Sequence, residues 1–343
     1  MSLLVLAPFT QGPIRGNRVS VDRTVSTLRK AGLEVSLREG GPRDSLDTLV
    51  SDTQSGTWRL IHAFHAFHAG VQAYNLARVL KLPYLITITG SDLFEEQYSA
   101  NPLTATSVTA ADRIICFDRL IGCQVAKTFA VPTERIVTIP QGVQWYADAG
   151  DAYRSQDGRA VLFLPAALRP VKGVLEMIEA LAPLYARCPF ELLVAGGELD
   201  AVYAERVRQL ARCYPFVTLL GEVPHEQMGY YYRGADLLLN GSWFEGGLAN
   251  SVLEGLAMGC TVVARDVIGN RAAVSVGENG YLFTHDDELL EIVMRLLSDR
   301  QALTAGRGRI AECARQRYSP QQEGELLLAC YRSILNLSQD LLF

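Results

Sequence analysis

The residues with the most chemistry in them fall between positions 240 and 270, NGSWFEGGLANSVLEGLAMGCTVVARDVIGN. Two carboxylates, Glu245 and Glu254, flank a loop that carries Gly246, Gly247 and Leu248. The apolar run at 237–239 reads as a buried strand leading into that loop. Asn250 or Ser251 is expected to cap a helix over about 252–258, with Gly259 ending it. TVVA then reads as another strand and IGN as a turn. A glycine loop entering a helix turns free backbone N–H groups towards one spot, where the helix dipole favours negative charge. A carboxylate beside an anion site does not bind the anion; it accepts hydrogen bonds from hydroxyls, as sugars and riboses present them. Anion and polyol together suggest a nucleotide sugar.

A second cation-bearing loop lies upstream. VLFLPA reads as a strand, LRPVKG follows, and VLEMIEALAPLYA has apolar residues at helical spacing. Lys172 therefore stands at a helix start, where the dipole disfavours a cation unless an anion offsets it. FELLVAGGELD repeats the pattern of strand, glycine turn and acidic helix start.

The first half has the same rhythm. MSLLVLAP is read as a first strand and not as a signal peptide, because it has no basic start and no small-residue cleavage site. The loop after it carries Gly12 and Gly16, which allow close backbone approach to a ligand. LIHAFHAF is expected to be a strand followed by a loop. That disfavours a zinc face for His62, His65 and His68, since residues three apart on a strand point to opposite faces. His62 is read as a core or surface histidine, while His65 and His68 stay open as residues bordering a cleft. PYLITIT is a further buried strand, and Gly90, Ser91 and Asp92 follow at its carboxyl end, where open α/β sheets bind ligands. Asp92 has an alternative role as a cap of the next turn.

With 343 residues, 49% hydrophobic and 20% charged, the chain is expected to form two ordinary globular domains. A net charge of -5 argues against nucleic acid as a partner. No run is long enough for a membrane span. The seven cysteines are odd in number and form no CxxC, which reads as buried free thiols in a reducing, cytoplasmic setting.

SWFEGGLANSVLEGLAMGCTVVA resembles the signature of the retaining GT-B glycosyltransferases of family 4, the glycosyltransferase group 1 domain. Further matches are VKG, LGEVPHEQMGYYY, NGYLF and IPQGV, and the subgroup of glycosyltransferase 1 domain-containing proteins is also similar in GGELDAVYAERV and ARDVIGNRAAV. The resemblance implies an α/β, GT-B fold: two Rossmann-like domains facing each other across a cleft, with a C-terminal helix crossing back to the first domain. The boundaries expected are 1–145 for the acceptor-side domain, 146–159 for a linker, 160–318 for the nucleotide-sugar domain and 319–343 for the terminal helix.

By motif position the resemblance assigns Lys172 and Arg169 to the donor diphosphate, Glu245 to the donor sugar and Glu254 to the ribose. Gly246, Gly247 and Leu248 belong to the donor loop, Gly221 and Val223 to the base pocket, and Gly16 and Asn17 to the loop over the phosphates. Thr89 stands where the family has a histidine that contacts the donor sugar, with Asp92 after it. The family usually has seven residues between the two glutamates; this chain has eight. The implied activity is retaining transfer of a hexosyl group from a nucleoside diphosphate sugar to an unidentified acceptor, with no metal and no cofactor. Two alternatives are a catalytically silent GT-B protein that binds nucleotide sugars and a GT-B sugar-nucleotide epimerase. A dinucleotide oxidoreductase is disfavoured because the first glycine loop does not match GxGxxG.

Overall fold

A computed structural model describes residues 2–8, 16–41, 58–146, 150–245 and 247–336, with side chains from residue 18 onward in the second of these stretches. The chain divides into two units, Met1–Gly142 with Tyr318–Phe343, and Val143–Arg317.

The first unit is built on a parallel sheet of six strands: β1 Ser2–Ala7, β2 Glu34–Glu39, β3 Leu60–Phe64, β4 Tyr84–Thr87, β5 Arg113–Cys116 and β6 Ile136–Thr138. Their order is β2-β1-β3-β4-β5-β6. Strands buried on both faces are continuous apolar runs, and β1 and β3 are of that kind. The helix Pro320–Leu335 belongs to this unit. Ser319 caps it, Pro320 supplies the pre-set first turn, and it packs on the helix Gly16–Lys30. Arg23 and Glu323 join the two helices by a two-bonded ion pair that is almost fully buried. Beneath it, buried His62 sits 2.7 Å from both the Tyr331 hydroxyl and Thr87 Oγ1.

The second unit has its own parallel sheet: β7 Ala160–Pro165, β8 Phe190–Ala195, β9 Val217–Gly221, β10 Leu237–Asn240, β11 Thr261–Arg265 and β12 Gly280–Phe283. The order is β12-β11-β10-β7-β8-β9. Read from the other edge, this is the doubly wound arrangement in which the strand order reverses between β7 and β10. Helices Val174–Tyr185 and Asp286–Leu297 cover one face with Leu175, Ile178, Leu181, Leu289 and Val293. Residues 150–159, within the stretch read as a linker, lie along this unit: the Tyr153 hydroxyl donates to Glu191 at 2.7 Å and its ring stacks on Tyr231.

Three local expectations are corrected. The strand read over LIHAFHAF stops at Phe64, and no loop follows it: His65–Ala69 is a wide helical turn running into the helix Gly70–Leu80. The cause is His65, whose φ of +78° turns the chain, while its Nδ1 accepts from the N–H groups of Phe67 and His68, both at 3.2 Å. The helix after the glycine loop is Asn250–Ala257, with Ala249 as its cap and no side-chain cap bond. The Ala249 carbonyl already accepts from Val252 and Leu253, so Asn250 and Ser251 fall inside the first turn. IGN is not a turn but the start of a short helix, Ile268–Ala273.

The cysteines divide by position. All seven are free; Cys116, Cys260 and Cys330 are buried, Cys188 is half-buried, and Cys123, Cys213 and Cys313 are exposed, so burial holds for only part of the set.

Candidate functional site

In the second unit the two strands at the order reversal, β7 and β10, each end in one of the loops singled out by sequence. The β7 loop makes a single helical turn, Pro170–Lys172, and then Gly173, in the left-handed region at φ +63°, caps the following helix. The β10 loop crosses it at backbone distance. A Cβ on Gly173 would lie 2.3 Å from the Gly241 carbonyl oxygen, and one on Gly241 would lie 2.3 Å from Met177. The Trp243 N–H donates to the Val171 carbonyl at 2.9 Å, closing the crossing. Only glycine permits this approach, and it brings Lys172 to Glu245.

Lys172 Nζ lies 2.5 Å from Glu245 Oε1, and both side chains are largely buried. Ser242 Oγ donates to the same oxygen at 2.7 Å, and Asn240 Nδ2 at 3.4 Å. Gly269 N–H, from the helix Ile268–Ala273 after β11, holds the Glu245 carbonyl at 3.1 Å. The offsetting anion that Lys172 requires is thus Glu245 itself. Arg169 is exposed at the cap of its turn. Gly247 is half-buried and Leu248 buried beside them, while Gly246 lies outside the described residues.

Glu254 is the buried carboxylate of the Asn250–Ala257 helix. Tyr232 donates its hydroxyl to Oε2 at 2.9 Å, and His225 Nε2 lies 3.2 Å from Oε1. The Tyr146 hydroxyl is 3.1 Å from the same His225 nitrogen. The hydrogen bond to Glu254 raises the His225 pKa above its ordinary value. Burial, with Glu254 beside it, pushes the Tyr232 phenol well up and keeps it a hydrogen-bond donor. At the edge of this group Gly221 turns at φ +69° with open space around its Cα, and Val223 is half-buried two residues on.

The structure adds residues that sequence reasoning missed. Arg265, at the end of β11, is buried; its Nε donates to the Gly241 carbonyl at 3.2 Å, and its guanidinium lies 3.7 Å from the Trp243 ring centroid. Burial lowers its pKa, yet among the described residues no carboxylate pairs with it. His225, Tyr146, Asn240 and Asn270 were likewise passed over. A polar side chain ending an apolar strand, as in LLLN and TVVAR, was the available signal for Asn240 and Arg265.

In the first unit the strand order reverses between β1 and β3. Most of the loop after β1 lies outside the described residues; Gly16 and Asn17 begin the helix Gly16–Lys30, and their side chains are not described. After β3 comes His65. Because its Nδ1 accepts two N–H bonds, the proton sits on Nε2, which donates to Ser91 Oγ at 3.1 Å. Burial lowers the His65 pKa and holds the ring neutral. His68 is lowered to about 4 by burial and then by His65. Tyr98 stands 5.2 Å from the His65 ring and 5.1 Å from the His68 ring.

Asp92 is 0% exposed, and its carboxylate accepts from the N–H groups of Ala66, Thr89 and Gly90. It caps this turn, where Gly90 takes φ +119°, and it reaches no open surface. Its placement is that of a residue shaping the loop, and Thr89 beside it is half-buried. Among the described residues no cluster of three His, Cys, Asp or Glu could hold a metal ion, and no helix is long and apolar enough to cross a membrane.

Residues 158–299 match the family described as glycosyl transferases group 1. The matched segment is about two fifths of the chain. It lies within the second unit and contains Lys172, Glu245 and Glu254. Over nearly its whole length the chain is similar to glycosyltransferase 1 domain-containing protein 1 of Xenopus tropicalis, at 24% identity and 94% of both chains. Among solved structures, sucrose-phosphate synthase from Thermosynechococcus elongatus superposes with a TM-score of 0.81 at 17% identity, covering 98% of this chain and 100% of that one. Anabaena HepE in complex with UDP-glucose superposes with a TM-score of 0.76 at 16% identity, covering 97% and 100%. Two doubly wound units in one chain are the make-up of the GT-B fold, and that is the fold of this chain.

Proposed function

We propose that the protein transfers a hexosyl group from a nucleoside diphosphate sugar to an acceptor with retention of anomeric configuration. The observation that carries this reading is the meeting of Lys172 and Glu245, 2.5 Å apart, on the loops of the two strands that flank the order reversal. A cation and a carboxylate there match the two halves of such a donor, phosphate and polyol. The UDP-glucose complex of the HepE relative supports the donor class.

When the glycosidic bond to the diphosphate breaks, its electron pair leaves with the phosphate oxygen. Lys172, with Arg169 beside it, meets the charge growing there, and loop N–H groups add further donors. The anomeric carbon passes through an oxocarbenium-like state. The acceptor oxygen attacks from the face the diphosphate leaves, and its proton passes to a phosphate oxygen. No protein nucleophile and no metal is required. Glu245 accepts from sugar hydroxyls and Glu254 from the ribose.

The test is thermal stabilisation by a panel of nucleoside diphosphates and their sugars, since a ligand bound only to the native state raises Tm. A selective shift, reduced in Lys172→Ala, is the expected result; no shift with any of them defeats the donor site.

One observation favours a second reading, a silent nucleotide-sugar binder: Thr89, which does not titrate near neutrality, stands where the resembled family has a histidine. Binding without transfer or donor hydrolysis would select it, and an epimerised donor formed without acceptor would select an epimerase.

A further inference from the structure

Behind Glu245 lies a pair of buried amides that the proposed chemistry leaves unused. Asn240 ends β10 and Asn270 sits in the helix Ile268–Ala273; they are 5% and 0% exposed. Asn270 Nδ2 donates to the Arg265 carbonyl at 2.9 Å and to Asn240 Oδ1 at 3.3 Å. Asn240 Oδ1 also accepts from Ser242 N–H at 3.0 Å, and Asn240 Nδ2 donates to Glu245. One amide therefore sets the orientation of the other, and the second hands a donor to the carboxylate.

The cost of this arrangement is visible. Asn270 Oδ1 is buried with no hydrogen-bond partner, so its desolvation is not offset. The geometry is one-sided: the side-chain bonds of Glu245, from Lys172, Ser242 and Asn240, all end on Oε1. With its backbone carbonyl held by Gly269, the residue is fixed at both ends, and among the described residues no hydrogen bond ends on Oε2.

We infer that Asn240 and Asn270 are positioning residues that commit Glu245 Oε1 to the protein and turn Oε2 to a hydroxyl of the donor's sugar. This assignment rests on the donor site proposed above. It predicts a specific signature: loss of the amides weakens recognition of the sugar and leaves recognition of the nucleoside diphosphate alone, because the phosphates meet Lys172 and the loop amides.

The experiment is isothermal titration calorimetry with UDP and UDP-glucose, and with GDP and GDP-mannose as a second pair, on the parent, Asn240→Leu and Asn270→Ser. The expected result is that the nucleotide Kd stays within about threefold, while the ratio of nucleotide-sugar Kd to nucleotide Kd rises about tenfold, the worth of one charge-assisted hydrogen bond. A ratio unchanged in both variants, or an equal weakening of both ligands, overturns the inference while the donor site stands. Failure of the parent to bind either pair defeats the donor site itself. If Asn240→Leu does not fold, Asn270→Ser, which keeps one donor, carries the comparison.

Discussion

The two units reverse strand order at the carboxyl ends of their parallel sheets, but they fill the reversal with opposite materials. In the second unit the loops after β7 and β10 pass at backbone contact through Gly173 and Gly241, and charged side chains converge there. In the first unit the residue after β3 is a histidine held neutral, with His68 and Tyr98 around it. Both points require a left-handed residue: Gly173 at φ +63° in one, His65 at φ +78° in the other. Glycine adopts that conformation without cost, whereas a residue with a Cβ gives up about 1–2 kcal/mol. The second unit thus saves strain to bring two loops together, and the first accepts strain to keep an imidazole in place.

The sharpest way to break this contrast is Gly173→Ala. Its Cβ would fall 2.3 Å from the Gly241 carbonyl oxygen, and that backbone is pinned by Trp243 and Arg265. Strain and overpacking together are expected to cost on the order of 4 kcal/mol, read as a drop in Tm or loss of soluble protein. Lys172→Ala is next. It removes the cation without touching the crossing, so Tm should hold within a few degrees while turnover falls about 100-fold or more. Turnover within a few-fold of the parent would remove Lys172 from the chemistry.

These two neighbouring residues show what was legible in the sequence and what was not. The apolar runs named the buried strands, and a lysine before a glycine at a helix start announced an anion. That the anion beside it is Glu245, 73 positions away, follows only from the packing of two loops. His225 meets Glu254 from 29 positions before it, Tyr146 meets His225 from 79 positions before that, and no local pattern links them. The spacing of His62, His65 and His68 was ambiguous because a five-residue apolar segment suits strand and helix equally. The choice was made by the conformation of His65, which periodicity does not report. Asn270 was read as part of a turn, since Asn beside Gly usually is one.

The units should also differ in their response to acid. His62, fully buried in the first unit, has its pKa lowered from 6.5 to about 3 by burial. The unfolded chain then binds a proton that the native state does not. Stability from this group is fully present above about pH 6.5 and is lost as pH falls towards 3, at about 1.4 kcal/mol per pH unit. His68, lowered to about 4, acts in the same sense. His225 in the second unit has the opposite sign: its raised pKa gives stability that is present below 6.5 and is lost as pH rises through the folded value. Hydrogen exchange at pH 7.5 and pH 5 should therefore show protection falling in β3, β4 and the helix Pro320–Leu335 before it falls in the second sheet. His62→Gln should flatten that dependence; equal loss in both sheets would contradict it.

The smallest expected effect tests the contrast at its other end. His65→Gly removes the strain of the left-handed residue, a gain of about 1–2 kcal/mol. It also removes the bonds of Nδ1 to Phe67 and His68 N–H and of Nε2 to Ser91, and it frees the backbone of the unfolded chain. These losses are of similar size, so the net change should be within about 1 kcal/mol, far below that of Gly173→Ala. If urea unfolding instead shows a loss of several kcal/mol, the imidazole is itself a structural keystone of the first unit. A near-neutral result leaves stability unable to explain why a strained histidine stands at the reversal of the first sheet, and turns the question to what binds against it.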